Sequence, residues 1–292
     1  MGRAASVLSP RVAAAAVLVA GLAAYASVVD ELPRMSLWWD VALAALVLMP
    51  ATTALAWLAL PLRPWRGRLA GLGVALAALA FACDAGGLDV ASNLAKTGAV
   101  ILVALWFVDL FERPWWVGLV ALAIPLVDAI SVWRGPTRHI VTERPGVFDL
   151  LSISFPVPGG SFQLGLPDLL FFTLFLAAAA RWGMRVAPSW VLMTASFGAT
   201  MALALWLDPF DLGGLPALPL LSLGFLLANG DLLLRSAREP GDGSDPDGDD
   251  EPRADPEVPA EAEPNTDARP GEKPQSLSDL SSRDAPTDQS AL

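Results

Sequence analysis

Long apolar runs alternate along this chain with short clusters of arginine, aspartate and glutamate. A helix crosses the hydrocarbon core of a bilayer with about 20 mostly apolar residues. Eight segments meet that need, at about residues 12–29, 37–61, 69–88, 95–111, 114–133, 162–180, 186–207 and 213–234. Within the third and fourth only 69–83 and 97–108 are wholly uncharged, so seven or nine spans also fit the pattern. After Arg238 the runs stop, and Asp, Glu, Pro, Gly and Ser dominate to the end.

Composition sharpens this picture. Of 292 residues 54% are hydrophobic, and the net charge of −11 belongs to the last part: residues 239–292 carry 16 acidic and 4 basic side chains, against 14 and 15 in residues 1–238. So apolar a body is not a soluble domain. The tail has too little apolar surface to offset chain entropy and is expected to be disordered, a solvated tether in which only Leu277 and Leu280 offer an apolar anchor. The expected fold is an all-α, polytopic membrane helical bundle of about eight or nine transmembrane helices with a disordered acidic tail. Three parts follow: N-terminal transmembrane helices over 1–113, a transmembrane core holding the candidate chemistry over 114–238, and the tail over 239–292.

Arg3 and Arg11 before the first run, with small residues at Ala24-Tyr25-Ala26, also give that run the look of a cleavable signal peptide. Most arginines of the eight-span arrangement fall on one side, which is expected to be cytoplasmic; the long loop with Arg134, Arg138 and Arg144 falls on the other. A single cysteine, Cys83, excludes an internal disulfide and a Cys-cluster metal site, and a single histidine, His139, excludes His-rich zinc chemistry. No cofactor or metal is expected. No basic patch with interleaved aromatics supports nucleic-acid binding, and the oligomeric state is left open. Arginine used in place of lysine, 17 against 2, and the alanine load suggest a GC-rich prokaryote, hence a multi-pass protein of the plasma membrane.

A charge in lipid is costly, so each acid inside a span needs a reason. Asp30, Glu31, Asp84, Asp89, Asp109, Glu112, Asp208 and Asp211 sit at span ends, and Asp40 and Asp231 lie within about a turn of one, where headgroups and water solvate them. Asp128 and Asp168 differ. They lie six residues inside the expected span edges Arg134 and Phe162, each about 9 Å of helix from the same side. Because the two spans are consecutive and antiparallel, the two carboxyls are expected at one depth and within reach of each other.

Neither span holds a lysine or arginine, and an unpaired carboxylate there would be unstable. Two carboxyls sharing one proton escape that penalty. Such a pair can hydrolyse a peptide bond without a metal: the ionised member takes a proton from water, and the protonated member donates to the carbonyl oxygen. Interhelical hydrogen bonding between the acids, or an ion path lined by them, is open on the same residues. On the same side the last span begins with Gly213-Gly214-Leu215-Pro216-Ala217-Leu218-Pro219. Two prolines without N–H donors predict irregular backbone there, which persists at membrane depth only where it is buried or lines a cavity. A loop followed by a proline-started helix is the alternative.

Three short motifs now stand in order: Val127-Asp128, Gly165-Leu166-Pro167-Asp168 and Pro216-Ala217-Leu218. Together they resemble the Tyr-Asp, Gly-x-Gly-Asp and Pro-Ala-Leu motifs of the presenilin and signal peptide peptidase family of intramembrane aspartyl proteases. Asp128-Ala129-Ile130-Ser131-Val132-Trp133, followed by Arg138-His139-Ile140, looks like the microbial members in particular. The similarity covers about residues 114–234. Prepilin peptidases share a Gly-x-Gly-Asp element, but the Pro-Ala-Leu motif argues for the presenilin side. Val127 stands where the family has tyrosine, Pro167 where it has glycine, and eight spans are counted where nine are usual.

The resemblance implies an aspartic-type endopeptidase with Asp128 and Asp168 as catalytic residues. It implies that Gly165, Leu166, Pro167, Pro216, Ala217 and Leu218 contact substrate, itself a transmembrane protein or peptide met within the lipid bilayer. A proton- or cation-coupled transporter using the same acids is a rival from another class, and a catalytically silent relative acting as a binding protein is another. If peptide bonds are cut, a substrate helix must unwind and find new backbone partners. Leu151-Ser152-Ile153-Ser154-Phe155 alternates at strand period and is expected either to pair with such a substrate or to form an amphipathic flap, ending at Pro156, Pro158, Gly159 and Gly160. His139 reads as interfacial; Trp38, Trp39, Trp115, Trp116, Trp133 and Trp190 as an aromatic belt; Pro125 as a kink; and Gly198 as a close-packing surface.

Overall fold

The computed structural model describes residues 2–134, 150–207 and 217–238. The chain is mostly helical. Helix α1 is Gly2–Val28. A continuous helical stretch from Leu37 to Trp65 follows, made of α2 (Leu37–Leu43), a π-helical turn (Ala44–Leu48), α3 (Met49–Ala59) and a 3-10 segment. Pro50 explains the wide turn: it has no N–H to give, and its ring crowds the turn before it. Then come α4 (Arg66–Ala85), α5 (Asp89–Phe107) and α6 (Pro114–Arg134), with Pro125 inside α6. After the hairpin of β1 (Ser152–Val157) and β2 (Gly160–Gly165), three helices complete the chain: α7 (Leu166–Arg181), α8 (Val186–Leu207) and α9 (Leu218–Arg238).

Six helical segments among the described residues are long and apolar enough to cross a membrane: Pro10–Glu31, Leu37–Trp65, Gly67–Ala85, Asp89–Leu110, Val186–Leu207 and Leu218–Arg238. Two of the eight expected spans fall short of that. Over Pro114–Asp128, α6 is apolar but shorter. The sixth expected span begins late, because Phe162 belongs to β2 and the helix starts only at Leu166. The all-α expectation is corrected accordingly: Ser152–Val157 pairs antiparallel with Gly160–Gly165 across a two-residue turn. Both Gly-rich ends and the alternation of Phe162 and Leu164 suit a strand better than a helix start. The expected tail over 239–292 lies outside the described residues, as do Pro216 and His139.

Apolar side chains cover much of the outside. Leu46, Val74, Leu126, Val127, Trp206 and Leu227 are each more than 60% exposed, a pattern that lipid, unlike water, tolerates. Inside, small and hydroxyl-bearing residues let backbones approach. Gly198 lies on Ala45, and Gly224 lies on Leu192 and Ser196, so closely that a Cβ would be tight at either. Thr53 and Thr194 hydrogen-bond each other at 3.1 Å. Trp190 is not a belt residue: it meets Trp57 edge-on at 5.5 Å within the bundle.

Helix α7 is the axis. Phe172 through Ala179 are all buried, with Phe172 stacked on Phe197 and Phe175 on Phe225. A helix apolar on every side must be enclosed on every side. At 16 residues it rises about 24 Å, short of the roughly 30 Å of a hydrocarbon core. The hairpin extends it, with Ile153, Phe155, Val157 and Leu164 in the core. Strand backbone at such a place needs its polar groups satisfied by protein.

Candidate active site

Asp168 is the third residue of α7. Gly165 caps the helix in extended conformation, Leu166 opens it, and Pro167 follows in the first turn, where a missing N–H costs nothing. Leu166 N–H donates to Leu151 O at 2.9 Å, so the strand pairing runs straight into the helix. The Asp168 carboxylate receives the backbone N–H of Gly165, and a Cβ on Gly165 would stand 3.0 Å from its Oδ2. That is half of a capping box, and it fixes the acid at the helix entrance. The depth argument is thereby corrected. Asp168 sits in the first turn of its helix, not six residues along it, and strand rather than helix leads to it.

Asp128 approaches from α6. The two acids are close enough for their charges to interact, as expected from consecutive helices. The third motif also arrives. Leu218, 6% exposed, is the first residue of α9, and its backbone N–H is the donor that the Asp128 carboxylate meets. Ala217 takes the capping place, accepting the N–H of Leu221 at 3.1 Å. The other carboxylate oxygen of Asp128, Oδ2, is buried without a hydrogen-bond partner among the described residues. Asp168 alone would be accounted for by its cap. A second acid carrying an unsatisfied buried oxygen beside it would not.

Of the residues predicted for the site, Asp128, Gly165, Leu166, Pro167, Asp168, Ala217 and Leu218 are thus brought to one end of α7, while Pro216 lies outside the described residues. The site offers two carboxyls, one helix N-terminus holding each, and amide donors at both. Among the described residues no group of His, Cys, Asp and Glu is arranged to hold a metal.

The strand edge is placed differently from expectation. Across the turn Pro158-Gly159, Val157 and Gly160 are directly opposed, so Val157, Phe155 and Ile153 direct their backbone groups toward β2. Ser152, Ser154 and Pro156 direct theirs outward. Two of those outward groups are taken: Asn93 Oδ1 accepts the Ser154 N–H at 3.2 Å and Tyr25 donates its hydroxyl to Pro156 O at 3.0 Å, while Pro156 has no N–H. Side chains thus occupy the β1 edge at Ser154 and Pro156. Gly160, Ser161 and Gln163 of β2 are exposed, and that strand ends at Gly165, three residues before Asp168.

Four residues of the amino-terminal part escaped the sequence reading. Asp40, assigned to solvated headgroups, is 2% exposed because Asp40, Ala44 and Leu48 share one inward face while Trp38 and Trp39 face out. Tyr25 and Asn93 hold β1. Lys96 is buried, 3.9 Å from Asp84, beside a cavity of about 620 Å³ that Asp30, Asp89 and Asn93 also line. Neither Asp128 nor Asp168 reaches that cavity. The only tyrosine of the chain and a charged residue beside two tryptophans were the available signals. No known family pattern, curated protein or solved structure matches the chain.

Proposed function

We propose that the chain is an intramembrane aspartyl protease, hydrolysing peptide bonds within transmembrane segments of membrane proteins or signal peptides in a prokaryotic plasma membrane. The observation that carries this reading is the convergence of Asp128, Asp168 and the Leu218 amide, from three separate motifs, at the mouth of the central helix. Water between the carboxyls loses a proton to the ionised acid as it attacks the scissile carbonyl. The protonated acid gives its proton to the carbonyl oxygen. The acid that took the proton of water then passes it to the leaving nitrogen while the other takes a proton back from the gem-diol, so the intermediate collapses to a carboxylic acid and an amine and the pair again holds one proton. The pair titrates as a unit.

A substrate helix unwinds at this place and pairs its freed backbone with the exposed edge of β2, not with β1 as the alternation of Ser152 and Ser154 suggested. Strand addition there carries the extended segment directly to Asp168. Gly165, Leu166 and Pro167 then flank the scissile bond, with Ala217 and Leu218 opposite.

The test is cleavage of a labelled single-span substrate by purified protein, with and without a hydroxyl-bearing transition-state mimic. Cleavage that the mimic blocks, and that Asp128→Ala and Asp168→Ala each abolish, supports the reading. Binding without cleavage would mark a silent relative. Proton-coupled uptake into liposomes would instead establish the rival, passage of protons or cations by way of the same two acids.

A further inference from the structure

Asp40 has no part in the chemistry above, yet it is a buried carboxylate in a bundle that avoids such groups. One of its oxygens, Oδ1, has no hydrogen-bond partner among the described residues. The other, Oδ2, lies so close to Gly159 that any side chain on that glycine would overlap it. Gly159 is in the hairpin turn, and a Cβ there would force the Asp40 side chain to move. The charge of Asp40 also reaches Tyr25, whose hydroxyl holds Pro156 O. Asn93 of α5 holds Ser154. Three separate elements, α1, α2 and α5, therefore each place one polar side chain on the turn or the outer edge of β1.

A buried carboxylate with an orphan oxygen destabilises a fold unless something requires it. Close packing of α2 does not require it, since Val41, Ala44 and Leu48 supply the apolar contact on that side. What Asp40 touches is the tip of a rigid pair of strands. From Gly160 the second strand runs about 17 Å to Gly165, and the N–H of Gly165 holds the carboxylate of Asp168. A displacement at the tip is carried along the paired strands to the acid.

We propose that Asp40, with Tyr25, is a clasp that sets the position of the hairpin and through it the position of Asp168. Asp40 is a positioning residue for the amino-terminal part of the chain, and it touches neither substrate nor reacting atoms. The consequence for catalysis rests on the protease reading; the clasp itself does not.

The experiment uses the full chain, comparing Asp40→Ala, Asp40→Asn, Gly159→Ala and Asp40→Ala with Gly159→Ala together. Two readouts are taken: hydrogen exchange of the hairpin amides of Ile153, Phe155, Phe162 and Leu164, and kcat and KM on the single-span substrate. Asp40→Ala is expected to speed exchange in the hairpin and to lower kcat about tenfold or more with KM little changed, the mark of a misplaced catalytic group. Asp40→Asn, which keeps an acceptor of the same shape, restores both. The double variant is no worse than Gly159→Ala alone, because both changes break one contact. Unchanged hairpin exchange in Asp40→Ala overturns the clasp, as does a fall in activity that follows only the amount of folded protein. If the wild-type chain cleaves nothing, the protease reading fails while the exchange data still decide the clasp.

Discussion

Helices α1 and α7 are both apolar, and their surroundings are opposite. Only 6% of the most apolar stretch of α1 is covered by protein, whereas the run Phe172–Ala179 of α7 is buried throughout. The first faces the bilayer and lends the bundle one tyrosine; the second is enclosed and presents an acid at its entrance. Enclosure is what separates them. A carboxylate at the rim, such as Asp30 beside the polar cavity, is governed by solvent, while Asp128 and Asp168 are governed first by burial, then by the charge of Asp128 on Asp168 and by the amides of Leu218 and Gly165. Chemistry belongs where the protein, not the solvent, sets the field.

The sharpest way to break this contrast is at the acids. Asp128→Ala or Asp168→Ala should take cleavage to background, and Asp30→Ala should leave it within about twofold, as for a change far from the site. Cleavage persisting in either core variant would end the dyad. A bell-shaped dependence on pH, with both limbs belonging to the pair, should accompany wild-type activity; a single limb would mean that one acid works alone.

Next in size is the amide at Asp128. Leu218→Pro removes, along with the leucine side chain, an N–H at the first position of α9, where the helix has no use for it. The expected loss in kcat is about 10²-fold, comparable to deleting one preorganised donor. Leu218→Ala is the control for the lost side chain and should retain most activity. Equal losses in both variants would assign the effect to packing.

Enclosure should also appear in stability. Phe172→Ala, which empties a stacked position against Phe197, should cost about 3–5 kcal/mol in reversible unfolding in detergent. Leu227→Ala, on the outer face of α9 and 68% exposed, should cost far less, since lipid or detergent fills the space. Similar costs would mean that α7 is not the axis of the bundle.

Much of this was legible in the sequence because hydropathy over a bilayer's thickness has few other causes. Six of the predicted segments are long and apolar enough to span, and the sequence singles out Asp128 and Asp168, though the depth it assigns to Asp168 is corrected to the first turn of α7. The strand period over Ile153 and Phe155 was visible too. Its partner was not, because Gly160–Gly165 has glycine at both ends and abuts an apolar helix, so Phe162 read as the start of a span. Asp40 was hidden for another reason. Distance from a span end says nothing about which side of the helix a residue occupies, and one inward turn of α2 converts a headgroup acid into a buried one.

The smallest effect is expected where the geometry is best. Arg185 and Asp231 form a bidentate pair at 2.7 and 2.8 Å, but their side chains are 47% and 43% exposed. Exposed pairs contribute little, because water competes for both partners and salt screens what remains. The loop before α8 does not need the carboxylate. Buried Asn229 accepts the Arg185 N–H at 2.9 Å and donates to Ser189 Oγ at 2.6 Å, and the Arg185 guanidinium also donates to Ala228 O at 2.7 Å. Asp231→Asn should therefore leave kcat and KM unchanged, and whatever shift it makes in the unfolding temperature should vanish at about 1 M salt, where charges are screened beyond roughly 3 Å. A salt-independent loss of cleavage in that variant would connect a peripheral ion pair to the dyad, and the division between solvent-governed and protein-governed acids would fall with it.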